Sequence, residues 1–220
     1  MKFTLVLASL AAVAVGNEIS SLYNAAATTI TVDQAKAMLG FFKKFDDCTV
    51  TKAKEIIESL TPEQIEQGVA LHNKIIDGTV ACPTSREEGL ALIKEYVPSL
   101  YDAFVALNQD IIDRYNKVNA AGQEKILELE KEMFAVAGKK DKTAIVDLSV
   151  EVCEQYFALD ASVHDSIAAG FPETVKCMDQ TFYKSACKAA KALKEANYDI
   201  RNFKVIEALG KAFSDERFAQ

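Results

Sequence analysis

Residues 84–118, TSREEGLALIKEYVPSLYDAFVALNQDIIDRYNKV, decide the fold class. Ser85 with Glu88 three residues on has the spacing of a capping box, in which each side chain satisfies a backbone N–H at a helix start. From there Leu90, Ile93 and Val97 recur at helical spacing. Pro98 then interrupts, since proline has no N–H to donate and pushes the residue before it out of the helical region. Pro98 can itself open the next helix, because the first turn tolerates proline. In that helix Leu100, Phe104, Leu107, Ile111, Tyr115 and Val118 step by four and three residues, an apolar stripe along one face. On other faces Asp110 with Arg114, and Asp113 with Lys117, stand four apart with the acid first. The stretch predicts two amphipathic helices with a sharp joint.

The same signals extend in both directions. Thr31 caps a predicted helix through about Phe45 with Ala35, Met38, Phe42 and Phe45 on one face, and Asp46-Asp47-Cys48 breaks it. A second helix runs from Thr49 or Thr51 to Leu60. Thr61-Pro62-Glu63-Gln64 packs a cap, a first-turn proline and a capping-box glutamine into four residues, opening a third helix that Gly78 stops. Beyond the opening stretch, helices are expected from Asn119 or Ala120 to Gly138, from Asp141 or Thr143 to Phe157, from Ala161 to Ala169 with Gly170 as the stop, and from Pro172 to Ala196. A C-terminal segment carries Ile200, Phe203, Ile206, Leu209 and Phe213. No segment alternates with period two, and no Asn-Gly or Asp-Gly hairpin joins β-rich runs. The expectation is an all-α fold, a single domain of about ten short amphipathic helices over residues 17–220.

Residues 1–16 read as a secretory signal: Lys2 supplies the positive charge, Phe3 to Val15 is apolar or small, and Ala14-Val15-Gly16 is a small-x-small cleavage site before Asn17. The run is shorter than the roughly 20 apolar residues a membrane span needs, so no stable membrane insertion is expected. With 25 basic against 32 acidic residues the whole chain carries −7, which weighs against nucleic acid, where neutralising phosphates supplies most of the affinity.

In an exported chain the five cysteines, Cys48, Cys82, Cys153, Cys177 and Cys187, are disulfide candidates, and an odd count leaves one free or bonded to another chain. If Pro172 to Ala196 is one helix, Cys177 and Cys187 stand about 15 Å apart along its axis, beyond the roughly 7 Å limit for a bridge. Cys153 is then the obvious partner for one of them, and Cys48 suits Cys82. Catalytic constellations are missing: no C-x-x-C, Gly-x-Ser-x-Gly, phosphate-cradling loop, His-Glu-x-x-His or Glu-x-x-His occurs. His72 and His164 are the two histidines. His164, eleven residues after Cys153, would stand about 16 Å from it on a continuous helix, too far for a local thiolate couple. No enzymatic activity, metal or cofactor is expected.

Leu60-Thr61-Pro62-Glu63, followed by REEGLALIKEYVPSLYDAF from Arg86 to Phe104, resembles the nematode fatty acid- and retinol-binding proteins. Glu88, Leu90, Leu92, Ile93, Lys94, Pro98, Leu100 and Tyr101 occupy that family's pattern, and the likeness extends over about residues 59–123. The resemblance implies a secreted, all-helical lipid carrier that takes fatty acids, and retinol or related retinoids, without turnover. Such a carrier leaves part of its apolar interior unfilled. Ile93, Leu100, Phe104, Leu107 and Ile111 are the expected wall residues, and Arg114 or Lys117 could meet a carboxylate head. Surface pairing with Asp110 or Asp113 is the plainer use of those two bases. The competing reading is a secreted, disulfide-containing helical protein with a filled core, acting through a protein partner or as a dimer through the unpaired cysteine.

Overall fold

The computed structural model describes residues 28–139, 141–199 and 201–213. The expected leader, the start near Asn17, most of the lead-in and Ile200 lie outside them. Among the described residues there are eleven α-helices, two 3-10 turns and no strand, and the fold is all-α. In order these are α1 (Val32–Lys43), a 3-10 turn (Asp46–Cys48), α2 (Thr51–Ser59), α3 (Pro62–Asp77) and α4 (Arg86–Tyr96). A second 3-10 turn (Pro98–Leu100) leads into α5 (Tyr101–Tyr115), α6 (Ala120–Lys139) and α7 (Lys142–Phe157). The chain continues with α8 (Ala161–Gly170), α9 (Pro172–Met178), α10 (Thr181–Glu195) and α11 (Phe203–Phe213).

Most helix starts follow from side chains that satisfy backbone donors. Thr31 and Thr61 each close a full capping box with the glutamine three residues on. Ser85 caps α4, but Glu88 departs from the expected reciprocal bond: its carboxylate takes the Thr84 N–H at 2.7 Å. That bond is the main reason its pKa lies below the ordinary carboxylate value. Gly78 ends α3 at φ +86°, the left-handed conformation that glycine enters without Cβ strain. Pro98 turns the chain through a single 3-10 turn before α5 begins at Tyr101.

Packing is pairwise and local. In one cluster Leu71 of α3 meets Ile93 and Val97 of α4 and Leu100. In another Leu107 of α5 meets Ala53 and Ile56 of α2. In the C-terminal half Ala189, Ala190 and Leu193 of α10 pack on Val146 and Val150 of α7 and on Val205 of α11. The two alanines are fully buried, and their small side chains let three helices approach one another. Burial at Val205 corrects the expected C-terminal stripe: Phe203 and Ile206 lie on the exposed side.

The long C-terminal helix is also corrected. Pro172 to Ala196 is two helices, broken at Asp179-Gln180, with the Asp179 carboxylate accepting the Tyr156 hydroxyl and the Gln180 amide donating to Asp47. The break frees Cys177 and Cys187 to face different neighbours. The disulfides are Cys48–Cys177 and Cys153–Cys187. The expected Cys48–Cys82 bridge is therefore wrong: Cys48 ends the first 3-10 turn, which packs on α9, and Cys82 is a free thiol. Loops of 129 and 34 residues are closed in this way, the kind of constraint that stabilises a domain by roughly 2–5 kcal/mol each.

Candidate functional site

The stripes on these short helices do not close completely on one another. They leave a pocket of about 280 Å3 between the N- and C-terminal halves of the chain. One wall comes from α4 and α5 through Leu90, Ile93, Phe104, Leu107 and Ile111. The facing wall comes from α6 and α7 through Ile126, Leu129, Met133, Phe134 and Val152. Phe42 approaches from α1 and Phe45 from the segment just after it, Phe171, Met178 and Phe182 add to the lining, and so do both members of the Cys48–Cys177 disulfide. Phe45 and Phe182, both in the lining, hold ring centroids 5.4 Å apart, joining the N- and C-terminal halves of the chain.

The lining is apolar apart from a few groups. Arg86, Lys125 and Glu130 are the charged residues among those lining it. Arg86, at the start of α4, forks onto Glu130 of α6: its Nε and Nη2 each donate to one carboxylate oxygen, the second at 2.8 Å. Lys125 reaches Glu128 at 2.8 Å along its own helix. On the α7 side the Tyr156 hydroxyl donates to Asp179 Oδ1 at 2.9 Å and lies 2.9 Å from His164 Nε2. Burial first, and then the hydrogen bond to Asp179, push the phenol well above the ordinary tyrosine range. Tyr183 of α10 is almost wholly buried and its hydroxyl has no hydrogen-bond partner, so burial alone drives its pKa up.

The structure brings four of the sequence-derived wall residues, Ile93, Phe104, Leu107 and Ile111, to this pocket. Leu100 is buried instead against Leu71 and Val97, in the cluster behind the α4 wall. Arg114 does not line the pocket: its guanidinium is held by Asp110 at 2.7 Å and by Glu173 of α9 at 2.9 Å. Lys117 is exposed beyond the end of α5 and is likewise absent from the lining. Cys153 is consumed by its disulfide, so no thiolate is available to His164. Among the described residues no cluster of three or more His, Cys, Asp or Glu side chains could hold a metal.

Arg86 and Glu130 were not singled out by the sequence reading, although one signal was present. A cation in the first turn of a helix opposes the macrodipole, so an arginine there calls for a nearby anion. The lining contributed by α6 to α10 had no such signal, because stripes at helical spacing do not reveal which helices stay apart.

No helix among the described residues is long and apolar enough to cross a membrane. Comparison with curated proteins and with solved structures finds no match. Residues 43–190, about two thirds of the chain, match the family model described as nematode fatty acid retinoid binding protein (Gp-FAR-1). The match takes in every wall of the pocket from Phe45 to Tyr183, and the chain belongs to the nematode fatty acid retinoid binding protein family.

Proposed function

We propose that this protein is a secreted, non-catalytic carrier that holds the hydrocarbon part of a fatty acid or retinoid in the pocket between α4–α5 and α6–α10. The observation that carries the reading is the pocket: about 280 Å3, apolar along its walls, with charge confined to three residues. Binding sites for small molecules usually span roughly 300–1,000 Å3, so this volume suits one slender chain. Removing methylenes from water yields roughly 0.8 kcal/mol each, about 11 kcal/mol for some 14 of them. That gross gain can absorb association costs of several kcal/mol. Ile93, Phe104, Leu107 and Ile111 serve as wall, contributing burial rather than chemistry.

Export is supported by the leader-like residues 1–16 and by two disulfides, which persist in oxidising compartments. Delipidation followed by titration with a fluorescent fatty acid tests the carrier reading, with ligand emission as the signal because the chain has no tryptophan. A saturable curve, displaced by oleate, is expected. A flat curve with no displacement overturns it. N-terminal sequencing of protein recovered from culture medium should begin near Asn17.

A further inference from the structure

Three charged residues border a largely apolar space, and two of them are locked together. Arg86 presents a planar fork to Glu130, and the two oxygens of Glu130 take the two N–H groups. This is the bidentate geometry that a guanidinium makes with any carboxylate. The partners lie 44 residues apart on different helices, so the pair is a tertiary contact and not a product of helical spacing. Both side chains are mostly covered, at 30% and 23% exposure, and both line the pocket. Gly89, Leu90 and Ile93, on the same helix as Arg86, line the pocket with it. A ligand with its tail against Ile93 therefore has its polar end within reach of Arg86.

We propose that Arg86 is the head-group anchor of this pocket, and that Glu130 is an internal carboxylate occupying the anchor until an acidic ligand takes its place. One carboxylate replaces another on the same fork. The guanidinium keeps both N–H bonds, while Glu130 is released to water. The exchange favours acids, because the ligand carboxylate takes the fork while Glu130 regains water, whereas a neutral head group cannot displace Glu130 without leaving a charge unpaired. Acids are favoured over alcohols of the same chain, and an alcohol binds beside the intact Arg86–Glu130 pair. Lys125 is half exposed and already engaged by Glu128, so it makes a poorer anchor. Arg114 is held by two carboxylates away from the lining.

The inference rests on the carrier reading, and one experiment separates their failures. Oleate and oleyl alcohol are each titrated by displacement of a fluorescent fatty acid from delipidated wild-type protein, Arg86→Gln, Arg86→Lys and Glu130→Gln. Circular dichroism confirms the helical content of each. Glu130→Gln removes the internal competitor and should tighten oleate about tenfold while leaving the alcohol unchanged. Arg86→Gln should weaken oleate at least tenfold, again with the alcohol unchanged, and Arg86→Lys should recover part of the loss. Equal shifts for both ligands, or none for either, overturn the anchor while leaving the carrier reading intact. If wild-type protein binds neither ligand, both fall. Should either single variant fail to fold, the other still decides, because the two move the oleate-to-alcohol ratio in opposite directions.

Discussion

Gly170, the last residue of α8, lies so close to the end of α5 that a Cβ added there would stand 2.6 Å from the carbonyl oxygen of Arg114. It would also stand 2.7 Å from a methyl group of Val118. The obstacle is backbone, which cannot rotate away. Gly170→Ala should therefore destabilise the protein by about 1–3 kcal/mol, the usual cost of overpacking. Gly68→Ala, where nothing lies within 4 Å of the added carbon, should stabilise by roughly 0.5–1 kcal/mol through helix propensity. Urea unfolding of the two variants checks the opposite signs.

Gly89 separates stability from binding. It lies within α4 and lines the pocket, and an added Cβ meets nothing within 4 Å. Gly89→Leu should leave the protein as stable or up to about 1 kcal/mol more stable, while its side chain enters space the ligand needs. Fatty acid affinity should fall at least tenfold. Unchanged affinity with raised stability would show that the ligand does not pass this side of α4.

The helices were largely legible because their ends carry chemistry. Thr31, Thr61, Ser85, Pro98 and Gly78 act within a few residues of themselves, so the local sequence contains both partners of each interaction. The break at Asp179-Gln180 was not legible. No glycine or proline marks it, and the groups that occupy it come from Tyr156 and Asp47, distant in the chain. Assuming one helix there did not mislead the case against a Cys177–Cys187 bond, but nothing local pointed to Cys48 as the partner of Cys177. The pocket was half legible. The α4–α5 stripe supplied Ile93, Phe104, Leu107 and Ile111, yet Leu100 on that stripe faces other core residues. A stripe says which side chains leave water, not whether they meet protein or empty space.

Two buried tyrosines should behave differently from each other. Tyr183→Phe removes a hydroxyl that has no partner and is expected to be neutral or mildly stabilising. Tyr156→Phe loses the bonds to Asp179 and His164 and should cost about 1 kcal/mol. Both phenols have pKa values raised above the ordinary 10.0. Their contribution to stability is thus intact below pH 10 and is lost as pH climbs above it, where the unfolded chain ionises and the native one does not. Spectrophotometric titration of native protein should leave two of the seven tyrosines unionised until unfolding.

Glu132 offers the acid-side counterpart. Partial burial, followed by repulsion from Glu151 and Glu128, raises its pKa above the ordinary 4.5, and one carboxylate oxygen has no hydrogen-bond partner. A carboxyl raised in this way favours the fold when protonated, and that benefit disappears as pH rises through its folded value. Glu132→Gln should therefore raise the melting temperature at pH 7 and lose that advantage below about pH 4. An equal gain at both pH values would assign the effect to packing rather than charge.

The order of bridged cysteines along the chain is 48, 153, 177, 187, with the first joined to the third and the second to the fourth, so the two rings interlock in sequence. A protease that severs any one peptide bond from Cys48 to Cys187 leaves the fragments covalently tied, because every such cut falls inside at least one ring. A nicked molecule would migrate as one species on a non-reducing gel and fall into two only after reduction. The first cleavage would thus cost a loop without scattering the walls that surround the pocket.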